Sequence, residues 1–225
     1  MKKIFFLIFS CLIVASSTLC KAGEPPLFVS LGASCEVAHV LRDTKARSAA
    51  YPFDWLLTLN PEGFVSLLQN NFESFLKQDC LKQIPTGFTN TLYDIEFRHD
   101  LYGMDTSFEE YLPTIQEKHQ RRISRFRNLN DFSGKVFFLR SAYPPHYPPL
   151  TTGHTNCFVI TSIQAKKLQE ALVRLFPKLN FTLVIVNYAK VTSQRIVGID
   201  KVVEYTIGKD VQGLEQLIQL LSKQK

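Results

Sequence analysis

The run Phe181-Thr-Leu-Val-Ile-Val186 is almost continuously apolar and has the length of a strand, and it decides the fold class. Val136–Leu139 and Val202–Ile207 have the same character, and amphipathic stretches at Ile163–Phe176 and Val211–Leu221 alternate with these runs. Apolar strands that alternate with amphipathic helices are typical of a parallel sheet covered by helices on both faces. The sequence therefore predicts an α/β fold, with a single three-layer domain and a mainly parallel sheet.

The N-terminal half begins with the same kind of unit. Leu27–Leu31 is predicted to be a strand, Gly32–Ser34 a turn and Cys35–Arg42 a helix, with Ser34 as its N-cap. Further along the chain, the patterns predict four more segments: a helix that opens at Asn60-Pro61 and runs to about Leu76, a half-buried strand at Tyr93–Phe97, a long helix at Phe108–Leu129 and an extended surface loop at Tyr143–Pro149.

The first 22 residues have the pattern of a secretory signal peptide. Lys2 and Lys3 precede the apolar run Ile4–Ala15, which is too short to span a membrane, and small residues lead to a predicted cleavage after Ala22. We therefore expect a mature domain of residues 23–225 that is exported, periplasmic or secreted. No other apolar run is long enough for stable membrane insertion.

Charge and composition narrow the function classes. The 225-residue chain has a net charge of +6, which falls to +3 when the three lysines of residues 1–22 leave and no acid is lost. That mild excess argues against a dedicated nucleic-acid binder. With 45% hydrophobic residues, 18 of the 225 being Phe, the chain can bury one sizeable core.

Three cysteines remain after the predicted cleavage: Cys35, Cys80 and Cys157. An odd number in an oxidising compartment predicts one pair and one free thiol. We expect Cys35 to be the free, reactive thiol and any disulfide to join Cys80 to Cys157. The alternative is that all three are buried and unpaired.

Cys35 lies where a nucleophile would be useful. The pattern from Leu27 to Cys35 is strand, glycine turn and helix, and unpaired N–H groups at a helix start stabilise a thiolate. Ligands in open α/β sheets bind at the carboxyl ends of the strands. An inert structural cysteine would fit the same pattern.

Several motifs resemble a known family, the bacterial putative papain-like cysteine peptidases, a domain family of unknown function. The resembling segments are Val29-Ser-Leu-Gly-Ala-Ser-Cys35, Ala38, Leu41-Arg42, Arg47-Ser48, Tyr51-Pro-Phe-Asp-Trp-Leu56, Phe97-Arg-His-Asp100, Arg121-Arg-Ile-Ser-Arg-Phe126 and Val136-Phe-Phe-Leu-Arg140. The resemblance implies a nucleophile at Cys35 and a downstream histidine partner, most naturally His99. An antiparallel barrel in the C-terminal half would indicate the papain architecture instead of the parallel sheet.

The choice of histidine depends on geometry. If the alternation of Tyr93–Phe97 continues, His99 falls on the buried face and Asp100 on the opposite one. Asp100, Asp105 and Asp54 are the candidates for the acid that orients the ring. His39 competes with His99, because it lies one helical turn after Cys35.

The remaining candidates are substrate-binding residues. The backbone of the turn from Gly32 to Glu36, flanked by Ser30 and including Ser34, is expected to hold an oxyanion. Asp54 is a helix cap, an ion-pair partner of Arg47 or a site residue. Arg122 lies beside an apolar stripe, so it either holds a buried carboxylate or binds a substrate anion. Arg140, at the carboxyl end of a core strand, has a good location for substrate contact.

No metal site or cofactor is predicted. His146, His154 and Cys157 match no common zinc spacing, and no nucleotide-binding glycine motif is present. Three hypotheses follow: a thiol hydrolase of the cysteine-peptidase kind, acting on a peptide or other small acyl substrate; a non-enzymatic α/β binding module for an anionic ligand; and a hydrolase or transferase of another acyl or glycan class.

Overall fold

A four-stranded parallel sheet forms the centre of the computed structural model, which describes residues 24–101, 107–143, 159–188, 196–208 and 211–224. The chain order of its helices and strands is β1 (Leu27–Ser30), α1 (Glu36–Asp43), α2 (Pro61–Gln69), β2 (Leu81–Ile84), β3 (Gly87–Asn90), β4 (Ile95–Phe97), α3 (Phe108–Arg127), β5 (Val136–Ser141), α4 (Ser162–Leu175), β6 (Phe181–Tyr188), β7 (Val202–Ile207) and α5 (Val211–Ser222). Short 3₁₀ turns at Gln78–Cys80 and Asn128–Asp131 complete the described elements.

The strands of the main sheet run in the order β1-β5-β6-β7, and all three pairings are parallel. Every residue of β5 is buried, which requires cover on both faces of the sheet. Helices pack in two groups, α1 with α5 and α2 with α4. The predicted α/β class and the mainly parallel sheet are confirmed, and the C-terminal strands belong to this sheet rather than to an antiparallel barrel.

A second, antiparallel sheet of order β2-β3-β4 was not predicted from the sequence. Residues 85 and 86 form the tight connection between β2 and β3. Gly87 follows with a φ of +143°, and a Cβ there would overlap the Phe97 carbonyl of β4. Leu57 adds an isolated antiparallel bridge to Glu96 in the same sheet. The bridge ties the segment from residue 51 to residue 58 to β4.

Three predicted boundaries are corrected. The helix that opens at Asn60-Pro61 ends at Gln69 rather than near Leu76, because Asn71 and Phe72 adopt positive φ angles of 49° and 65°. The strand predicted at Tyr93–Phe97 begins only at Ile95, because Asp94 has a φ of 55°. The helix after the first turn starts at Glu36, and its N-cap is Cys35 rather than Ser34.

One hydrophobic core joins the two sheets and the helices. Phe138 of β5 packs near Phe126 of α3, and Phe126 in turn contacts Phe53 and Phe72. Buried residues from β1 through α5 belong to the same cluster, so the described residues form a single domain. The predicted signal peptide lies outside the described residues, and so does most of the predicted proline-rich loop.

Candidate active site

Cys35 lies just past the carboxyl end of β1, in a turn that stays bonded to β5. Leu31 N–H donates to Leu139 O at 2.8 Å, and Ser141 N–H donates to Gly32 O at 2.9 Å. The Cys35 side chain is half-buried, and its sulfur is a free thiol. The structure therefore places the sulfur at the edge of the sheet where α/β proteins bind ligands.

The turn from Ser30 to Ser34 has a shape that only glycine allows at its centre. Gly32 has a φ of +81°, and a Cβ there would overlap the Thr58 hydroxyl and lie 3.0 Å from Arg140 Nη1. Ser30 Oγ accepts the Gly32 N–H at 3.3 Å, and Ser34 Oγ accepts the Glu36 N–H at 3.4 Å. Both serines are buried. In this structure they shape the backbone beside the sulfur.

Arg140 fastens this turn to the segment that contains Thr58. Its guanidinium donates to Leu31 O at 2.6 Å and to both the hydroxyl and the carbonyl oxygen of Thr58. It also lies over the Phe64 ring, 4.5 Å from the ring centre. Arg140 is 4% exposed. Substrate contact by Arg140 stays a prediction, and what the structure shows is a side chain that holds two backbone segments together.

Burial raises the pKa of the Cys35 thiol. The backbone N–H of Cys35 acts in the opposite direction, and the neighbouring Glu36 carboxylate adds to the increase. Glu36 is itself buried and accepts a hydrogen bond from the Tyr188 hydroxyl. The sequence predicted that the helix start would stabilise a thiolate, and this prediction is wrong. Burial outweighs the effect of the backbone N–H, so the pKa of the Cys35 thiol is raised.

His39 and His99 both contact the Trp55 ring. The Trp55 ring centre is 4.8 Å from that of His39 and 5.9 Å from that of His99. Thr58 N–H donates to Ala33 O at 2.9 Å, so the segment that contains Trp55 is also bonded to the cysteine turn. Within the described residues, no hydrogen bond joins the Cys35 sulfur to either imidazole.

The two rings differ in their surroundings. His39 Nδ1 is 3.1 Å from Arg42 Nη2, and because a guanidinium can only donate, this nitrogen accepts and carries no proton. Partial burial and then the Arg42 charge lower the pKa of His39. His99 is exposed, which corrects the expectation of a buried ring. The reason is that β4 ends at Phe97, so the predicted alternation does not reach His99.

Asp100, the predicted acid, turns inward instead. It is 4% exposed, and its carboxylate bonds to Lys118 and, at 3.0 Å, to His119 Nε2. Burial raises the pKa of Asp100, but the hydrogen bonds and charges of His119 and Lys118 outweigh it and hold the pKa at about 2. In this structure Asp100 pairs with His119, and a role in orienting His99 stays a prediction. Asp105 lies outside the described residues.

His119 is the residue that the sequence analysis missed. It is fully buried against the Phe75 and Phe97 rings, which also contact each other, and burial lowers its pKa. The signal was available in the sequence, since His119 lies four residues after Ile115 and four before Ile123 on the buried stripe of α3. A ring sealed in this way ties α3 to the end of β4.

Asp54 and Arg122 also act on each other electrostatically. Asp54 is buried, pairs with Arg47 and accepts the Tyr51 N–H at 3.0 Å. Burial raises the pKa of Asp54 to about 6, although these partners and Arg122 act in the opposite direction. Burial lowers the pKa of Arg122, whereas the charges of Asp100 and Asp54 raise it. Of the roles considered for Asp54, the ion pair with Arg47 agrees with this geometry. The positive charge of Arg122 interacts with two buried carboxylates, those of Asp100 and Asp54.

Comparison with known proteins identifies the protein family. The family model described as "Putative papain-like cysteine peptidase" matches residues 26–191, which include the cysteine turn, the Trp55 segment, His99 and Arg140. The chain belongs to this family.

A viral protein is similar to part of the chain. The chain is 26% identical over 141 residues to an uncharacterized protein of Acanthamoeba polyphaga mimivirus, covering 53% of this chain and 63% of the relative. Because that relative is viral, the description of the family as bacterial has no support. No solved structure matches the chain.

Two further observations concern metals and membranes. In the parts of the chain that the structure describes, no cluster of three or more His, Cys, Asp or Glu side chains could bind a metal ion. Outside those parts lie the residues first considered as ligands, which are His146, His154 and Cys157. Cys157 is also the predicted disulfide partner of Cys80. Cys80 is a free thiol. None of the described helices has the length and apolar character needed to cross a membrane.

Proposed function

We propose that this protein is an exported thiol hydrolase of the cysteine-peptidase kind, with Cys35 as its nucleophile. The observation that carries the proposal is the place of the sulfur: half-exposed, on a glycine turn at the carboxyl edge of a parallel sheet. The family match supports the same reading. The substrate is a peptide or another small acyl compound.

The raised thiol pKa defines what the base must do. The resting sulfur keeps its proton, so the base has to remove that proton as the sulfur attacks the acyl carbon. The new S–C bond gives a tetrahedral oxyanion; its collapse breaks the bond to the leaving group, which takes the proton from the imidazolium. Water then hydrolyses the thioester and releases Cys35. We assign the base to His99, with His39, the other histidine in contact with Trp55, as the rival.

The amide groups that could hold the oxyanion are limited. The N–H groups of Gly32, Ala33 and Glu36 already donate to Ser30 Oγ, Ser141 O and Ser34 Oγ. We therefore assign oxyanion binding to the N–H groups of Ser34 and Cys35 within the predicted turn.

Acetyl transfer from p-nitrophenyl acetate tests the proposal. We expect release of p-nitrophenolate together with an acetyl group on Cys35, both absent in Cys35→Ser and retained in Cys80→Ser. The free, half-buried Cys80 is the internal control for ordinary thiol reactivity. Removal of the base in His99→Ala should slow acetylation at pH 7 by about 100-fold.

The outcomes separate the hypotheses. Loss of rate only in His39→Ala would transfer the base role to His39. Equal acetylation of Cys35 and Cys80 would refute the thiol hydrolase. The second candidate, a non-enzymatic α/β binding module for an anionic ligand, would then be preferred, and it is favoured by the raised thiol pKa. Acetylation of Cys35 without hydrolysis of peptides would direct the search to other acyl or glycan substrates.

A further inference from the structure

We infer that the exposed face of α1, together with Trp55, is a substrate subsite for a side-chain carboxylate about three residues from the attacked carbonyl. The inference rests on the proposed function, because it takes Cys35 as the point of attack. It adds a substrate class to that function, namely acidic peptides.

The subsite starts at the sulfur itself. Cys35, His39 and Arg42 are spaced by four and then three residues, which places them in one row on a helix. Cys35 has helical dihedral angles, and its carbonyl accepts the His39 N–H at 2.9 Å, so the row is continuous with α1. All three side chains are at least partly exposed, whereas the residues between them are buried, these being Glu36, Val37, Ala38, Val40 and Leu41.

The Trp55 ring packs against two members of this row, His39 and Arg42. Its ring centre is 4.8 Å from the His39 ring and 5.7 Å from the Arg42 guanidinium carbon. Arg47 approaches the same ring to 5.3 Å, and His99 lies at its edge. Four side chains with N–H donors therefore converge on one partly exposed indole.

Arg42 is the group that would bind the carboxylate. Its side chain is 52% exposed, whereas that of Arg47 is 9% exposed and bonded to the buried Asp54. A guanidinium has five N–H donors. Among the described residues, Arg42 uses its Nε on Asp43 and one Nη2 hydrogen on His39. The outer edge of its two Nη groups has the fork geometry that suits a carboxylate.

One acid contacts this group, and a second is bonded to the neighbouring Arg47. Asp43 accepts a hydrogen bond from Arg42, and this bond holds the pKa of Asp43 below its ordinary range. The Asp43 carboxylate therefore stays charged and competes with an incoming anion for Arg42. Asp54 is paired with Arg47, which offsets its charge. Asp43 is thus the residue whose removal should strengthen binding.

Spacing gives the position of the carboxylate in the substrate. Arg42 is seven residues after Cys35 (42 − 35), which is roughly 10 Å along a helix that rises about 1.5 Å per residue. An extended peptide covers that distance in about three residues.

The experiment uses Trp55 fluorescence, because Trp55 is the only tryptophan in the chain. The protein is the full chain with Cys35→Ser, which removes the nucleophile and leaves the subsite. The probes are end-blocked alanine heptapeptides with one Glu placed three residues before or after the central residue, each with a Gln twin. We expect one Glu peptide to bind about fivefold more tightly than its twin, which is the size of one exposed charged pair.

Matched variants test whether Arg42 is the residue that binds the Glu carboxylate. The Glu preference should vanish in Arg42→Gln, increase in Asp43→Asn and persist in Arg121→Gln, which alters an arginine of α3 that is 61% exposed. Equal binding of the Glu and Gln peptides, or a preference that survives Arg42→Gln, would overturn the inference. If the preference depends on Arg42 but Cys35 fails to accept acetyl groups, the proposed function fails and the subsite remains.

Discussion

Gly32 and Gly198 share a positive φ but have very different surroundings. At Gly32 an added Cβ would overlap Thr58 and crowd Arg140, whereas at Gly198 it would meet nothing within 4 Å. The pair therefore separates backbone strain from steric overlap, because both substitutions strain the backbone and only one fills space that is already occupied.

We predict that Gly32→Ala lowers the free energy of unfolding by more than Gly198→Ala does. Gly198→Ala should cost about 1–2 kcal/mol, which is the strain of a left-handed alanine. Gly32→Ala should cost about 1–3 kcal/mol more, because overpacking displaces Thr58 or Arg140. Urea denaturation of both variants measures the difference. Equal losses would show that the turn around Cys35 yields to an added methyl group.

The histidines show what the sequence could reveal about single residues. The location of Cys35 at a strand-turn-helix junction followed from the local pattern. The exposure of His99 did not, because it depends on β4 ending at Phe97. Such an end is set by partners elsewhere: Asp100 turns inward to meet Lys118 and His119, 18 and 19 residues further along the chain.

At the scale of elements, α3 anchors two loops by their buried acids. Lys118 and His119 hold Asp100 beside His99, while Arg122 acts electrostatically on both Asp100 and Asp54. The two acids have pKa shifts of opposite sign, so they make opposite predictions for stability against pH.

For Asp100, stability should fall in acid. Its folded pKa of about 2 lies below the ordinary value of 3.8, so the ionised form stabilises the fold above pH 4, and this contribution is lost as the pH falls through 2. Lowering the pKa of Asp100 from 3.8 to about 2 corresponds to about 2 kcal/mol. The destabilisation caused by Asp100→Asn, measured by urea denaturation, should therefore shrink between pH 5 and pH 2. Asp79→Asn, at an 81% exposed acid, is the control and should show no such trend.

For Asp54, the trend should be the reverse. Its folded pKa of about 6 lies above 3.8, so its contribution is complete below pH 4 and is lost as the pH rises through 6. Raising the pKa of Asp54 from 3.8 to about 6 corresponds to about 3 kcal/mol. Stability curves of wild type and Asp54→Asn should therefore approach each other between pH 4 and pH 7. Curves that stay parallel over this range would mean that Arg47 keeps Asp54 ionised throughout.

The elements themselves were predicted unevenly. Long apolar or amphipathic runs gave β5, β6, β7, α4 and α5 nearly to the residue, because such runs can be buried in few ways. The hairpin of β2 and β3 was missed, since Lys82, Gln83 and Thr89 make it polar and its stability comes from Phe88 stacking on Phe97. Leu57 pairs with Glu96, 39 positions further along the chain (96 − 57), and this pairing brings Trp55 to His99. Because the two residues are so far apart, the pairing produces no local pattern in the sequence.

At the scale of the whole molecule, the proposed export predicts a shortened chain. Expressed with its own first 22 residues in a secreting bacterium, the protein should be recovered outside the cytoplasm with Gly23 at its N terminus, as determined by intact mass. Replacing Lys2 and Lys3 by Glu should reduce this processing, because a signal peptide needs its positive start. A recovered chain that still begins at residue 1 would contradict export by this route.

The order β1-β5-β6-β7 also has a consequence for how the molecule assembles. The strands β5, β6 and β7 follow one another along the chain, whereas β1 lies at an edge and pairs with β5 in a register that sets Leu27 opposite Val136, 109 positions apart (136 − 27). Long loops close late and slow the folding rate. During synthesis, which proceeds from the N terminus, the strand that leads into Cys35 emerges first and has to wait for its partner. We therefore expect Cys35 to reach the sheet edge in one of the last docking events, so that its sulfur acquires its neighbours only when the fold is otherwise complete.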